Sequence, residues 1–357
     1  MDARPDAPGG AERFDLVIVG AGFAGLYMLL RARRLGLTAV VLERAGDVGG
    51  TWWWNRYPGA RCDVESMQYS YSFDAALQQD WHWTERFAAQ PEILAYARHV
   101  AERFDLRRDI RFGVSVTAAR FDAAEGGWRI ATADGAAFAA RFCVMATGCL
   151  STAKLPEIEG IGTFRGSTYH TGDWPHRAVD FTGLRVGVIG TGSSAIQAIP
   201  VIAAQAAHVT VFQRTANFSI PSRNQPMDSE YEAWWKRDYA AHRETARRMR
   251  TGILYHINET AALDVPPEAR AEVYRARWAN GGTAFMGAFA DLITSQAAND
   301  TAADFVRDRI REIVRDPATA EALAPKDHPI GTKRICVDTA YFAAYNRDNV
   351  TLVDLRK

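Results

Sequence analysis

The sequence of 357 residues lacks a paired-cysteine motif, an excess of one charge and a long apolar run. Its four cysteines, Cys62, Cys143, Cys149 and Cys336, form no C-x-x-C pair, which argues against a zinc site and a dithiol redox centre. Lys+Arg and Asp+Glu both count 42, so no bulk field favours nucleic acid or an acidic membrane surface. No run of about 18 apolar residues occurs, and the polar N-terminus does not read as a signal peptide. These absences predict a cytoplasmic protein with no metal, no membrane span and no nucleic-acid or evident protein partner.

Two stretches of the sequence alternate apolar strand-like runs with helical periodicity. Each reads strand, helix, strand, and the apolar strands are typical of a parallel sheet that is buried on both faces. In chain order the segments are 14–19, 23–35 and 38–42, then 184–189, 195–205 and 208–212. The fold class predicted is α/β, with two Rossmann-like dinucleotide-binding domains built on mostly parallel sheets.

The first of these units carries three glycines between its strand and its helix: Gly20, Gly22 and Gly25. In dinucleotide-binding folds the first glycine makes a tight turn, the second lets the backbone approach a pyrophosphate, and the third lets helix and strand pack closely. Glu43 ends the next strand, where a carboxylate accepts hydrogen bonds from ribose hydroxyls and repels a 2′-phosphate. The site therefore favours FAD or NAD over NADP. A glycine turn without this context would indicate packing alone.

The second unit repeats the turn as Gly190, Gly192 and Ala195, and alanine in the third place still permits close packing. The strand that follows leads into Arg214, and an arginine at this point pairs with a 2′-phosphate. By itself Arg214 would be taken for a solvated surface residue. Within this pattern it favours NADPH, so the two sites together predict that NADPH reduces a bound FAD.

The domain organisation predicted from these units has four parts. Residues 1–150 form the FAD-binding domain, of which 1–13 are expected to be disordered, and 151–224 begin the NADPH-binding domain. Residues 225–330 are rich in Ala, Glu, Arg and aromatics and are predicted to be a helical insertion. Residues 331–357 return to the NADPH-binding domain.

Two long motifs carry a resemblance to a known family. The stretch FRGSTYHTGDWP at 164–175 fits the pattern F-x-G-x-x-x-H-x-x-x-W-P, and GGTWWWNRYPGARCDVES occupies 49–66. Together with VGAGFAGLY, VGVIGTGSSAIQ and GTKR, these stretches resemble Baeyer–Villiger monooxygenases, in particular the branch that oxidises phenylacetone-like and steroid ketones. The resemblance implies that NADPH and FAD are used to insert one atom of O2 beside a ketone carbonyl, which gives an ester or lactone.

The resemblance also implies roles for individual residues. Arg334 matches the catalytic arginine, whose fixed guanidinium would stabilise a developing oxyanion. Asp63 matches the carboxylate that holds this arginine in place. Lys333 matches a residue that contacts the 2′-phosphate of NADPH. Without the motif, Lys333 and Arg334 would be interpreted as a basic loop tip.

The same resemblance implies the cofactor contacts. Those expected for FAD, besides the three glycines of its turn, are Phe23, Glu43, Thr51, Trp52, Trp53, Trp54, Asp63, Tyr69 and Val116. Those expected for NADPH, besides Gly190, are Arg61, Cys62, Thr191, Gly192, Ser193, Ser194, Ala195, Ile196, Gln197, Arg214, Thr215, Lys333 and Arg334.

Several alternatives stay open at this point. His170 and Trp174 favour a packed, hydrogen-bonded pair that couples cofactor binding to domain motion over an acid–base role. Flavin-containing monooxygenases that oxidise amines and sulfides share the two turns, and Trp174 is the residue that separates them from the ketone-oxidising family. Family members continue past residue 357, so the chain is expected to lack the C-terminal remainder of the FAD domain. A truncated remnant would bind nucleotides or act only as an uncoupled NADPH oxidase.

Overall fold

The structure is a computed structural model that describes residues 10–356. Its strands in chain order are β1 (Glu12–Val19), β2 (Ala39–Glu43), β3 (Ile110–Phe112), β4 (Val116–Asp122), β5 (Gly127–Thr132), β6 (Ala137–Met145), β7 (Arg185–Ile189), β8 (His208–Gln213), β9 (Ser219–Pro221), β10 (Cys336–Asp338) and β11 (Val350–Asp354).

The helices are α1 (Phe23–Arg34), α2 (Thr51–Trp54), α3 (Ala75–Asp80), α4 (Gln90–Arg103), α5 (Ser193–Ala203), α6 (Ser229–Arg237), α7 (Tyr239–Arg248), α8 (Pro267–Asn280), α9 (Gln296–Ile313), α10 (Pro317–Leu323) and α11 (Tyr341–Ala344). Short 3-10 turns occur at Arg107–Asp109, Ile161–Thr163, Ala262–Asp264 and Thr283–Gly287. Across residues 10–356 no helix combines the length and the apolarity that crossing a membrane requires.

The chain divides into two compact units. Unit 1 contains the residues up to Arg56 together with Gln90–His176, and unit 2 contains Tyr57–Ala89 and the chain from Arg177 onward. The segment Tyr57–Ala89 falls within the predicted FAD-binding domain but groups with unit 2. The boundary predicted at residue 150 therefore does not coincide with the division into units, and the assignment of each domain to a cofactor stays a prediction.

Unit 1 is built on a six-stranded sheet in the order β3-β2-β1-β6-β5-β4. The first four strands are parallel, and β5 and β4 add to the edge in antiparallel pairing. The last four residues of β1 and of β2 are all buried, and all of them except Glu43 are apolar, as expected for strands covered on both faces. The carboxyl end of β1 leads directly into the glycine turn and α1, as expected for a dinucleotide-binding unit.

Unit 2 contains a three-stranded parallel sheet in the order β11-β8-β7 and a two-stranded parallel pair of β9 with β10. Helix α5 follows β7 across the second glycine turn. Helices α6 to α10 lie between β9 and β10, in the stretch for which a helical insertion is predicted, and its assignment as an insertion stays a prediction. The α/β fold class with mostly parallel sheets is confirmed.

The predicted element boundaries need several corrections. The second turn helix begins at Ser193, not at residue 195, because the chain becomes helical directly after Gly192. The apolar run at 142–145 also predicts a strand, and the structure extends this strand over Ala137–Met145, where polar and small residues hide the apolar pattern. Residues 1–13 are predicted to be disordered. Residues 1–9 of this stretch lie outside the described part of the chain, and residues 12 and 13 belong to β1.

Gly25 is required by packing in unit 1. A Cβ atom built there would lie 1.8 Å from the carbonyl oxygen of Gly20, so helix α1 could not keep its distance from the turn. We expect Gly25→Ala to lower the free energy of unfolding by about 1–3 kcal/mol, because the backbone must shift to relieve the clash. Urea unfolding monitored by circular dichroism measures this effect.

Gly162→Ala is the matched control, since a Cβ atom at Gly162 would meet nothing within 4 Å. Equal unfolding midpoints for the two variants would show that the turn tolerates a side chain and that this packing argument is wrong.

Candidate functional site

The first glycine turn of unit 1 joins β1 to α1. Gly20 has a φ of +104°, and a Cβ atom there would lie 2.7 Å from the carbonyl oxygen of Ala146. Gly50, which directly precedes α2, has a φ of +54°, and a Cβ atom there would lie 2.9 Å from the Cα of Gly22. Two glycine backbones therefore approach each other at the N-terminus of α1. The sequence did not single out Gly50, although the Gly49-Gly50 pair is a turn signal.

Glu43 lies at the end of β2 beside this turn and is buried. Its Oε2 accepts a hydrogen bond from the Ala21 amide at 2.6 Å, and its Oε1 accepts one from the Ala45 amide at 2.7 Å. A carboxylate oxygen has more than one acceptor position, so Glu43 can hold the turn and still accept from a ribose hydroxyl. The predicted role of Glu43 is compatible with this geometry, and the two amide contacts add a structural role.

The second glycine turn, in unit 2, joins β7 to α5. Gly190 has a φ of +99°, whereas Gly192 has an ordinary φ of −83° and precedes the first residue of α5. A Cβ atom at Gly192 would meet no atom within 4 Å. Neither backbone conformation nor packing within the described chain requires glycine at Gly192. A glycine in such a place is expected where a ligand's phosphate comes close to the main chain.

The N-termini of the two turn helices differ from others in the molecule. Helices α3, α6, α9 and α10 are each capped by their own side chain, respectively Asp74, Asp228, Ser295 and Asp316. Helices α1 and α5 begin directly after Gly22 and Gly192, without a side-chain cap and without an acidic residue in the first turn. No side chain of the helix occupies the position in front of either N-terminus, and the positive end of each helix favours an anion. The residues present therefore fit two dinucleotide phosphate sites.

Two basic residues of the predicted NADPH site are exposed in unit 2. Arg214 follows β8, and Lys333 directly precedes Arg334. Among residues 10–356 neither side chain has a hydrogen-bond or ion-pair partner. Thr191 of the turn is buried, and its hydroxyl donates to the carbonyl oxygen of Thr215 at 2.9 Å, which fixes the turn beside the end of β8. Arg214 is therefore held near the glycine turn on which a nucleotide phosphate would lie.

The predicted catalytic pair forms an ion pair within unit 2. Arg334 donates from Nη2 to Oδ2 of Asp63 at 2.5 Å. The Asp63 side chain is 3% exposed, whereas that of Arg334 is 72% exposed. One nitrogen of the guanidinium is thus tied to a buried anchor, and the rest of its planar N–H fork faces outward. The geometry suits a group that is held in one orientation and presents donors to a reacting anion.

Burial dominates the electrostatics of Asp63. Desolvation of the carboxylate raises its pKa from 3.8 to about 6, and the positive charge of Arg334 opposes this rise without cancelling it. The ionised pair is therefore a costly arrangement inside the protein, and the charge of Arg334 favours the ionised form of Asp63. Nucleophilic thiol chemistry is not supported nearby, because burial raises the pKa of the Cys62 thiol to about 12 and that of Cys336 to about 11.

Two predicted cofactor contacts on α5 are turned into the protein. Ile196 is fully buried and Gln197 is 7% exposed. The Gln197 carboxamide contacts Tyr57, Arg61 and Asp63. Their side chains are engaged by unit 2 itself, so only main-chain atoms remain for a cofactor at these two positions. Tyr57 was not among the residues predicted for the site, and a lone tyrosine before Pro-Gly offers no signal of such a contact.

The three consecutive tryptophans of α2 face different surroundings in unit 1. Trp52 is buried, and its carbonyl oxygen accepts a hydrogen bond from the Gln90 side chain. The Trp53 ring lies 4.2 Å from that of His176, and the guanidinium of Arg44 lies 4.5 Å from the ring of Trp54. Trp53 and Trp54 are only half-buried, so the three consecutive tryptophans do not all face inward.

The remaining predicted residues fall in both units. His170 accepts a hydrogen bond from the Gly172 amide through Nδ1 at 3.0 Å, and Trp174 is buried with its ring 5.3 Å from that of Tyr169. These contacts show a folded turn, which is compatible with a structural role.

Phe23 and Val116, which are expected near FAD, lie in unit 1. Tyr69, which is also expected near FAD, lies in unit 2. Thr51 is exposed at the start of α2, and Ser193, Ser194 and Ala195 begin α5.

The fold and the two turns define an α/β protein that binds two dinucleotides. A family profile described as "Pyridine nucleotide-disulphide oxidoreductase" matches residues 17–251. The chain belongs to this family of oxidoreductases. The disulphide of the family's description has no counterpart here, because the four cysteines are free in the part of the chain that the structure describes.

Curated relatives place the chain near known monooxygenases. A protein of Pseudooceanicola batsensis named "Baeyer-Villiger monooxygenase" is 42% identical over 96% of this chain and 63% of its own length. The "Phenazine N-monooxygenase PhzNO1" of Lysobacter antibioticus is 40% identical, again over 96% of this chain and 63% of its own length. The resemblance inferred from the sequence motifs is confirmed. The chain spans about 63% of the length of these relatives.

Solved structures agree with this placement. An "oxidized steroid monooxygenase bound to NADP" is 54% identical with a TM-score of 0.93, covering 96% of this chain and 66% of the other. A crystal structure of OTEMO in complex with FAD and NADP is 40% identical with a TM-score of 0.93, covering 96% and 66% respectively. The predicted cofactors, FAD and NADPH, are thus of the kinds found in related structures.

The raised pKa of Asp63 predicts a specific pH dependence of stability. Because the folded-state pKa of about 6 lies above the ordinary 3.8, protonated Asp63 stabilises the fold, and this contribution disappears as the pH rises through about 6. Relative to Asp63→Asn, the wild-type chain should lose about 3 kcal/mol of unfolding free energy between about pH 3 and pH 7. Urea unfolding of both proteins across this range measures the difference. A difference that is constant with pH, or that grows in favour of the wild type, would contradict the assignment.

Proposed function

We propose that this chain acts as a FAD- and NADPH-dependent Baeyer–Villiger monooxygenase that inserts one atom of O2 next to a ketone carbonyl to give an ester or lactone. The observation that carries the proposal is the Arg334–Asp63 pair, in which an exposed guanidinium is fixed by a buried carboxylate. This pair lies in the same unit as the second glycine turn. The motifs at 49–66 and 164–175 and the names of the relatives support the same activity.

We assign FAD to the glycine turn of unit 1 and NADPH to that of unit 2. Glu43 beside the first turn suits a ribose with free hydroxyls, and a carboxylate there would repel a 2′-phosphate. Arg214 and Lys333 in unit 2 supply positive charge for that phosphate. The uncapped N-termini of α1 and α5 would each hold a pyrophosphate through main-chain amides. When bound, the two cofactors supply hydride transfer and the activation of O2.

The protein's own contribution to the chemistry is placement and charge. Arg334 would donate hydrogen bonds from its outward N–H groups to the oxyanion that develops during oxygen insertion. Asp63 keeps the guanidinium in one orientation and balances its charge when no anion is present. Because guanidinium does not lose its proton in proteins, Arg334 remains a donor throughout the pH range in which the cofactors are stable.

A second candidate function is N-oxygenation of an aromatic heterocycle. The observation in its favour is the 40% identity to a relative named as a phenazine N-monooxygenase. Both reactions would use the same two cofactor sites, so these sites do not distinguish ketone oxidation from N-oxygenation. Incubation with NADPH, O2 and either a cyclic ketone or a phenazine, followed by mass spectrometry, separates an ester or lactone from an N-oxide.

Uncoupled consumption of NADPH is the third outcome that such an assay detects. If reduced cofactor reacts with O2 without transfer to a substrate, hydrogen peroxide accumulates and no oxygenated product forms. The ratio of product formed to NADPH consumed measures this directly. A ketone as the substrate, a cytoplasmic location and the expected lack of a protein partner are further parts of the proposal, and they rest on the sequence.

The proposed role of Arg334 predicts a selective loss. We expect Arg334→Ala to retain both cofactors but to lower ester or lactone formation by about 100- to 1000-fold, because a donor to the developing oxyanion is removed. Product yield by gas chromatography and cofactor content by absorbance provide the measurement. The control is Arg347→Ala, an exposed arginine of unit 2 whose Nε donates to Asn349. Normal product yield from the Arg334 variant would refute the assignment.

The proposed 2′-phosphate contact predicts a change in cofactor preference. Arg214→Ala should raise the Kd for NADP⁺ by about 10- to 100-fold and leave that for NAD⁺ within a few-fold, because only NADP⁺ carries the phosphate. Isothermal titration calorimetry with each nucleotide measures both constants. An equal loss for the two nucleotides would mean that Arg214 supports the fold of the site and does not select the phosphate.

A further inference from the structure

The carboxamide of Gln197 uses its full hydrogen-bonding capacity inside unit 2. Its Oε1 accepts from the Tyr57 hydroxyl at 2.8 Å and from the Arg61 amide at 3.4 Å. Its Nε2 donates to the Arg61 carbonyl oxygen at 3.1 Å and to Oδ1 of Asp63 at 3.3 Å. A side-chain amide has two acceptor positions and two N–H groups, and here all four are engaged. A buried amide with this many hydrogen bonds fixes its own orientation and that of the groups bonded to it.

The two carboxylate oxygens of Asp63 accept hydrogen bonds from two different residues. Oδ1 accepts from Gln197 and Oδ2 accepts from Arg334. A carboxylate that is held by only one oxygen can rotate about its terminal torsion, which is broad in energy. Contact at both oxygens removes this freedom, so the direction in which Asp63 presents Oδ2 depends on the position of Gln197.

The backbone around Gln197 is built for this contact. Gly59 has a φ of +79°, and a Cβ atom there would lie 2.4 Å from the Gln197 carbonyl oxygen, so only glycine lets the segment 57–63 approach α5 this closely. Gln197 itself lies on the first turns of α5, directly after the glycine turn at which a nucleotide would bind. The side chain is only 7% exposed and points to Asp63 and its neighbours.

We propose that Gln197 is a positioning residue that orients Asp63, and through Asp63 the guanidinium of Arg334, and that its side chain is not a cofactor contact. The inference rests on the proposed function, because it gives Arg334 the chemical role stated above. It goes beyond that function because it identifies one carboxamide, that of Gln197, as the contact that joins helix α5 to the Asp63–Arg334 pair.

The proposal predicts a change that needs no cofactor to be observed. Gln197→Met keeps the length and approximate volume of the side chain but removes the N–H that donates to Asp63. Because that donor favours the ionised carboxylate, its loss should raise the pKa of Asp63 by about one unit above the wild-type value. We would titrate the carboxyl resonance of Asp63 by ¹³C NMR in the cofactor-free chain labelled at aspartate, with Asp63→Asn to assign the signal.

Gln68→Met is the matched control for this titration. Gln68 lies in the same segment as Asp63 and also exchanges two hydrogen bonds, but with the backbone of Leu254. The same substitution there should leave the Asp63 titration unchanged. A shift of equal size in both variants would mean that loosening the segment is sufficient, and an unshifted Gln197→Met titration would overturn the proposal.

Tyr57→Phe keeps the proposal testable if Gln197→Met does not fold. This change removes one hydrogen bond to Oε1 and leaves the carboxamide in place, so the Asp63 titration should shift in the same direction by a smaller amount. No shift in the Tyr57 variant would then count against the positioning role.

Cofactor binding and product formation complete the test. Gln197→Met should keep the Kd for NADP⁺ within about threefold of wild type, whereas a loss of tenfold or more would show a cofactor contact and overturn the proposal. The acidic limb of the pH profile for product formation should move to higher pH with the Asp63 titration. If Arg334→Ala retains full product yield, the proposed function fails, and the NMR result still decides whether Gln197 orients Asp63.

Discussion

The structure of unit 2 depends on a carboxylate that is taken out of water and balanced by one exposed cation. Asp63 is buried, its pKa is raised to about 6, and Arg334 is its charged partner. A buried charge is destabilising unless it is paired and hydrogen-bonded, so the surrounding chain must deliver both. Gln197 donates an N–H to Asp63, and the absence of a side chain at Gly59 lets the segment 57–63 lie close enough to α5 for this hydrogen bond. The position of the arginine is therefore set by the segment 57–63.

The glycines of the two turns serve different physical purposes. Gly25 is required by contact between α1 and the turn, and Gly20 by its backbone conformation and the neighbouring Ala146. Gly192 is required by neither, and the amides that follow it have no side-chain cap. The absence of any internal reason for a glycine points to a ligand. The contrast with helices capped by their own side chains strengthens this conclusion, because a cap would occupy the phosphate position.

The sequence predicted the parts of the fold that local pattern controls. Both strand–glycine–helix units, the acid at Glu43, the arginine at Arg214 and the helices between β9 and β10 follow from composition and spacing. It could not predict that Gln197 turns inward, because the pattern after the second glycine turn does not tell which face of α5 is covered. Nor did it show that 57–89 belongs with unit 2, since that grouping depends on contacts between residues far apart in the chain. The short strands β3 and β9 were missed because three residues are too few for a period-two pattern.

The pairing of Asp63 with Arg334, in contrast, was reached only through the resemblance of the motifs. Nothing in the spacing of two residues 271 positions apart indicates that they meet. The structure adds the physical terms that the motif lacks: which oxygen is used, how deeply the carboxylate is buried and which carboxamide orients it. These terms turn a family likeness into an account that can be tested on this chain.

The most direct test of the account is the flavin absorbance of the 357-residue chain after loading with FAD, recorded while NADPH or NADH is added without oxygen. The account predicts a retained flavin spectrum that bleaches with NADPH at far lower concentration than with NADH. A chain that retains no FAD, or one that both nucleotides reduce equally well, would contradict the assignment of the two glycine turns.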